Sequence, residues 1–549
     1  MTRTGGELLV QCLEAANIDR IFSIPGESYL AVLDALHQSP IQNIVTRHES
    51  GAAMMAEADG KMTGRPGIAF VTRGPGATNA AAGVHIARQD STPMILFVGQ
   101  VARDMRGRDA FQEVDYRQTF RDLAKWVDEI DDADRIPEIL ARAFHTATSG
   151  RPGPVVLALP EDMLRDLTRV EPINPAISHT KPAALDLATV AAVELALTDA
   201  KAPIMILGGS SWSASDSEAA QRFAERNDLP VACTFRRQHL FPSTHPCYAG
   251  DIGIGPNPKL KARIEEADLV LMVGTRMSEI SAQGYALFDI PKPKQKLIHV
   301  LPDSDELGRV YQPDLSCPVK PGAFFRSFGD RPEISEGRAK AAHQDYLAWT
   351  KIPDRESDGV SMERVIAALQ THAPDDVILT NGAGNYSGWM HRYWRFAGVE
   401  SYLGPTSGSM GYGLPAAIAA KLRYPWRPVV CFAGDGCFQM TSQELGTAAQ
   451  WGVPVIVLVI DNGSYGTIRM HQERDFPGRV SGTVIVNPDF AAIARAYGGI
   501  GETVTTNAEV EPAIERALGA DRLTVLHIKT DLDAITPATT IGALRDAKS

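Results

Sequence analysis

Short apolar runs alternate with amphipathic stretches along almost the whole chain. Runs at 20–24, 44–46, 67–72, 93–98 and 154–158 read as strands, and 50–62 and 77–87 between them read as helices. A second series of runs follows at 204–207, 230–234, 269–273 and 296–300. A third opens with a helix over 362–371 and continues with strands at 376–380, 428–432, 454–460 and 523–528. Strand and helix in alternation predict parallel sheets covered on both faces, so the predicted fold class is α/β with three doubly wound domains. The segment 166–187 gathers Pro, Asn, Ser and Thr without periodicity and reads as a linker, while 330–341 and 352–359 read as a second break. The predicted domains are 1–170, 185–350 and 358–535, with 536–549 an exposed tail.

The length of 549 residues suits this division. Lys and Arg number 54 against 66 Asp and Glu, a net charge of −12, and no basic run occurs, which argues against a nucleic-acid partner. No apolar stretch approaches the length of a membrane span, and the first residues lack the continuous apolar core of a signal peptide. The six cysteines are scattered without a CxxC pair, so a disulfide framework is not expected and a cytoplasmic location is.

Candidate chemistry concentrates in the third series. The strand ending at Ala433 runs into Gly434-Asp435-Gly436, and the next strand ends in Asp461-Asn462-Gly463-Ser464-Tyr465-Gly466. In a parallel sheet both loops leave strand C-terminal ends, where ligands bind. Glycines beside Asp435 let backbone N–H groups approach a phosphate. The Asp435 carboxylate and the Asn462 amide oxygen are hard donors suited to Mg²⁺ with phosphate oxygens. Asn462 follows Asp435 by 27 positions, a sharper signal than either turn alone.

This spacing is the signature of thiamine-diphosphate enzymes, and the chain resembles them over nearly its whole length. Further matching segments are IPGESYLAVLDAL, RHESGAAMMAEADGKMTGRPG, TRGPGATN and GRPGPVVLALP early on, and GPTSGSMGYGLPAAIAAKL late. The branch it resembles is that of acetolactate synthases and benzoylformate decarboxylases. The resemblance implies a pyrimidine-binding first domain, a central Rossmann-like domain and a diphosphate-binding third domain. It also implies a homo-oligomer, dimer or tetramer, with the active site between subunits.

By the same resemblance Glu49 activates thiamine diphosphate at its pyrimidine ring, and Met410, with Gly408 and Ser409 beside it, supports the bent cofactor. Asp435, Asn462 and the carbonyl of Ser464 hold Mg²⁺. Gly434, Gly436, Cys437, Tyr465, Gly466, Thr467 and Ile468 are placed around the cofactor, as are Pro25 and the loop Gly384-Asn385-Tyr386. Tyr386 stands where acetolactate synthases have His, which puts its phosphate contact in question. The Cys437 thiol either adds a contact or is inert packing. His48 is read as structural.

Substrate-side positions are Glu27, Ser28, Gln112 and His471. Glu27 is a second acid/base carboxylate or a helix-terminal charge. His471 is a general acid/base or a surface histidine, and stands where biosynthetic synthases carry Trp. Phe111 is a pocket or a core residue. The implied reaction is attack on a small 2-oxo acid, loss of carbon dioxide and transfer of the resulting enamine to a carbonyl acceptor. A simple decarboxylase, a C–C hydrolase of a cyclic or aromatic carbonyl, and a non-catalytic cofactor-binding subunit remain open. In the central domain, Val273-Gly274-Thr275-Arg276-Met277-Ser278 lacks the paired aspartates of the flavin signature, so FAD is not expected.

Overall fold

The computed structural model describes residues 2–176, 183–329, 337–354 and 358–547. Parts of the predicted linker and of the second break, and the last two residues, lie outside these. The described residues form three six-stranded sheets, each wholly parallel. The first has the order Gln42–Val45, Arg20–Ser23, Gly67–Val71, Met94–Gln100, Pro154–Pro160, Trp126–Glu129. The third has the order Tyr402–Leu403, Ile378–Asn381, Val429–Gly434, Ile456–Asp461, Thr524–Lys529, Ile500–Val504. Counted from the first strand of each, both sheets run 2-1-3-4-6-5. The central sheet runs 3-2-1-4-5-6, the order of dinucleotide-binding folds.

Central strands such as Gly67–Val71 and Pro154–Pro160 are buried throughout, which explains their continuous apolar runs. The first and third domains share one core. Ala52, Ala53, Ala56 and Ala58 of helix Glu49–Thr63 and Ala416, Ala417, Ala419 and Ala420 of helix Gly413–Arg423 belong to the same buried cluster. Polar ties flank this seam: Arg423 pairs with Asp59 at 2.7 Å, and Tyr412 donates to Glu57 at 2.5 Å.

Leu167–Thr168, at the start of the predicted linker and within the predicted first domain, pairs antiparallel with Arg3–Thr4. One expectation is corrected here. The predicted tail contains a helix, Ile541–Asp546, capped by the Thr540 side chain. Ile541 is buried, and Arg545 binds the buried Glu473 carboxylate at 2.8 and 2.6 Å. The segment is held by a charge pair that spans the sequence and shows in no local pattern.

Candidate functional site

Four neighbouring strands of the third sheet release their C-terminal loops into one cavity of about 400 Å³. Ile378–Asn381 leads to Gly384, Asn385 and Tyr386, and Val429–Gly434 to Asp435. Ile456–Asp461 leads to Asn462 and Ser464, and Thr524–Lys529 to Thr530, Asp531 and Asp533. The crevice opens where strand order reverses, between the first and third strands of the sheet. Every third-domain residue expected at the cofactor lines this cavity except Ser409, whose hydroxyl bonds the Met410 carbonyl at 3.2 Å. Gly411 beside it has φ +83, and a Cβ there would stand 2.8 Å from that of Met440, so the turn carrying Met410 depends on glycine.

The Asp435 carboxylate is buried and receives the Gly436 N–H at 2.8 Å. Asn487 donates to it at 2.7 Å and to Asp461 at 2.7 Å. Burial pushes Asp435 up to about 6, against the pull of Asn487 and the Gly436 N–H and with the push of Asp461. Burial also acts on Asp461, but His527 at 2.7 Å and Lys529 at 2.6 Å hold it well below the usual carboxylate range. Asp461 is therefore already neutralised, while Asp435 is the carboxylate whose ionised form gains from an added cation. No group of three or more His, Cys, Asp or Glu side chains is placed to hold a metal among the described residues. A single carboxylate with amide and carbonyl oxygens instead fits a cation that shares its shell with phosphate. The donor set thus fits Mg²⁺ with a diphosphate.

Tyr386 lines the cavity with its ring, but its hydroxyl lies 3.2 Å from Cys437 Sγ in the core. Cys437 also accepts the Gly411 N–H at 3.2 Å. The side chain that stands in place of histidine is engaged with protein.

The expected first-domain residues gather elsewhere, at the C-terminal edge of the first sheet. Glu49 opens helix Glu49–Thr63, and Asn79 donates to it at 3.0 Å. His48 Nδ1 caps that helix, accepting the Ser50 N–H at 3.1 Å. Pro25 is exposed, and Glu27 pairs with Arg73 at 3.3 Å. Ser28 is fully buried with its hydroxyl 2.9 Å from Thr72 Oγ1, so within this chain it faces protein rather than an open surface. Gln112 adopts φ +63 against Gly74, and Phe111 beside it is 72% exposed and outside the core. None of these, nor His471 on helix Gly466–Asp475, is on the described wall of the third-domain cavity. The expected first-domain residues and the third-domain cavity thus lie apart on the described surface of one chain.

Sequence reading placed Asp461 in the loop motif without giving it a role, and missed Asn487, Asp533 and Ile535. Asn487 lies in an irregular segment with no pattern to mark it, and Asp533 and Ile535 follow the last strand immediately before the predicted tail.

The central sheet reverses order between Pro203–Leu207 and Leu269–Val273. There the two loops touch: a Cβ on Gly209 would stand 1.7 Å from the Gly274 carbonyl oxygen. The crevice measures about 80 Å³ and is lined by Arg151 and Glu306, paired at 3.1 Å, while Gly209, Ser210, Ser211 and Arg237 also border a second cavity of about 450 Å³. Arg237 donates to the Gly209 carbonyl at 2.7 Å.

Three stacked α/β domains with an oxygen-lined cradle at the edge of the last define a cofactor-dependent enzyme class. The chain belongs to the thiamine pyrophosphate enzymes: the family's N-terminal TPP binding domain matches residues 3–119, its central domain 190–327 and its C-terminal TPP binding domain 382–528. It is 32% identical to the acetolactate synthase large subunit of Corynebacterium glutamicum, over 94% of this chain and 84% of that one. It is 30% identical to the acetolactate synthase isozyme 2 large subunit of Escherichia coli, over 98% of both chains. The acetolactate synthase large subunit of Haemophilus influenzae is 30% identical over 96% of this chain and 94% of its own. No helix is long and apolar enough to cross a membrane among the described residues.

Proposed function

We propose that this chain is a thiamine-diphosphate- and Mg²⁺-dependent carboligase that acts on a small 2-oxo acid and transfers the decarboxylated fragment to a carbonyl acceptor. The observation that carries it is the convergence of Asp435, Asn462, Ser464 and Met410 on one cavity, with Glu49 on a separate edge of the same chain. Asp435, the Asn462 amide oxygen and the Ser464 carbonyl hold Mg²⁺. Met410 gives apolar support to the cofactor rings. Glu49 of a second copy reaches the cavity and holds a proton at the pyrimidine nitrogen, so the working unit is at least a homodimer. Bound thiamine diphosphate supplies the carbon nucleophile for the 2-oxo carbonyl and accepts the electron pair released with carbon dioxide. The exposed apolar side chains of Tyr465 and Ile468 on the cavity wall exclude water from this step once covered.

The absence of the paired aspartates of the flavin signature from Val273-Gly274-Thr275-Arg276-Met277-Ser278 supports a reading without FAD. Six free, buried cysteines support a reducing, cytoplasmic setting.

The test is to incubate the protein, thiamine diphosphate and Mg²⁺ with a panel of 2-oxo acids, with and without added aldehydes or a second 2-oxo acid. Products are identified by mass spectrometry. A 2-hydroxy ketone or 2-hydroxy-2-acyl acid is expected. Free aldehyde alone would replace carboligation by simple decarboxylation, and no consumption of any 2-oxo acid would overturn the reading.

A further inference from the structure

Glu444 stands on the third domain, nine residues beyond Asp435, and its carboxylate is fully buried. Burying a carboxylate is costly unless its oxygens are matched by donors. Thr447 of its own domain gives the shortest bond, and two further donors come from the first domain. The Arg47 N–H lies 3.3 and 3.2 Å from the two Glu444 oxygens, and the His48 N–H also donates to the carboxylate. Thr447 completes the shell at 2.6 Å. On the far side of Glu49, Gly51 packs so closely that a Cβ would stand 2.2 Å from Glu444 Oε1. The Arg47 side chain reaches helix Leu445–Gln450 of the third domain, donating to the Gly446 carbonyl at 3.2 Å and to Gln450 at 2.7 Å. Glu444 thus grips the backbone on both sides of Glu49, whose own carboxylate is bonded by Asn79.

We propose that Glu444 is the positioning residue for Glu49: it fixes the turn 46–48 and so the angle at which Glu49 leaves the first domain. This rests on the reading of Glu49 as the group that acts on thiamine diphosphate. A tie between domains placed anywhere along the alanine seam would hold them together. This one takes hold of the amides immediately before Glu49. A carboxylate is the side chain that offers two acceptor oxygens to two N–H groups, whereas Gln offers one oxygen and an opposing donor.

The experiment uses the full chain with thiamine diphosphate, Mg²⁺ and the fastest-consumed 2-oxo acid. The variants are Glu444→Gln, Glu49→Gln and the double variant. Glu444→Gln is expected to lower kcat by about tenfold while KM and cofactor affinity by calorimetry stay within about threefold. Added to Glu49→Gln it should cause no further loss, because its effect passes through Glu49. In wild-type protein without cofactor, peptides spanning 46–50 should exchange amide hydrogen slowly by mass spectrometry, and faster in Glu444→Gln. Multiplying losses in the double variant, or an unchanged kcat in Glu444→Gln, would overturn the proposal. So would rapid exchange over 46–50 in wild type, a measurement that stands even if Glu444→Gln does not fold. Full activity of Glu49→Gln would instead remove the functional reading, leaving exchange to judge whether the turn is held.

Discussion

Tyr386 donates its phenolic O–H to Cys437 Sγ at 3.2 Å, tying together the loops that leave two adjacent strands of the third sheet. The pair shapes the floor of the cavity from within. Tyr386→Phe should therefore cost about 0.5–1.5 kcal/mol in urea unfolding and leave thiamine diphosphate affinity within about threefold. A much larger loss of affinity would return the phenol to the phosphate.

Glu49→Gln keeps shape and removes the proton-holding group. Turnover should fall by about 10²–10⁴-fold, with cofactor affinity by calorimetry little changed. Undiminished turnover would refute its role.

Asp435→Ala removes the one carboxylate of the cation's donor set. Affinity for thiamine diphosphate in the presence of Mg²⁺ should drop by about two orders of magnitude or more, and the dependence on Mg²⁺ should flatten. Isothermal titration with and without Mg²⁺ decides it.

Glu444 carries a pH signature in stability. Burial lifts it to about 7, while Thr447, the N–H groups of Arg47 and His48, and the Arg47 charge pull the other way. Its folded value lies above the unfolded value of about 4.3, so its contribution is complete below that pH and is lost as pH rises through 7. Glu444→Gln removes that loss. Its melting temperature relative to wild type should rise between pH 5 and pH 8, and a constant difference would contradict the assignment.

Arg545 binds a Glu473 carboxylate that also receives Arg469 at 2.8 Å. Removing the last helix by truncation after residue 539 should lower stability by about 1–3 kcal/mol by denaturant titration. An unchanged midpoint would mean that the segment is dispensable.

The interior strands of the three large sheets were visible in the sequence, and so was one edge strand, Gln42–Val45. Trp126–Glu129, Tyr248–Ile252, Leu315–Cys317, Tyr402–Leu403 and Ile500–Val504 escaped it, and all five are at sheet edges. Ile500–Val504 is largely exposed, and Tyr402–Leu403 is two residues long, so neither makes an apolar run. The shared 2-1-3-4-6-5 order of the first and third sheets was equally hidden, because strand order is a property of pairing and leaves no local period. At the site, the loops of the third domain were legible through their glycines and oxygen donors. Glu444 was not: an isolated glutamate in SQELGTAAQ looks like a helix surface until the first domain is seen against it.

The alanine seam between helices Glu49–Thr63 and Gly413–Arg423 leaves methyl groups where longer side chains would give slack. Any change of angle between the two domains of one chain has to break this core together with the Arg423–Asp59 and Tyr412–Glu57 ties. For the homodimer proposed above, the seam therefore presents the Glu49 edge and the Asp435 cavity to a second copy as one surface.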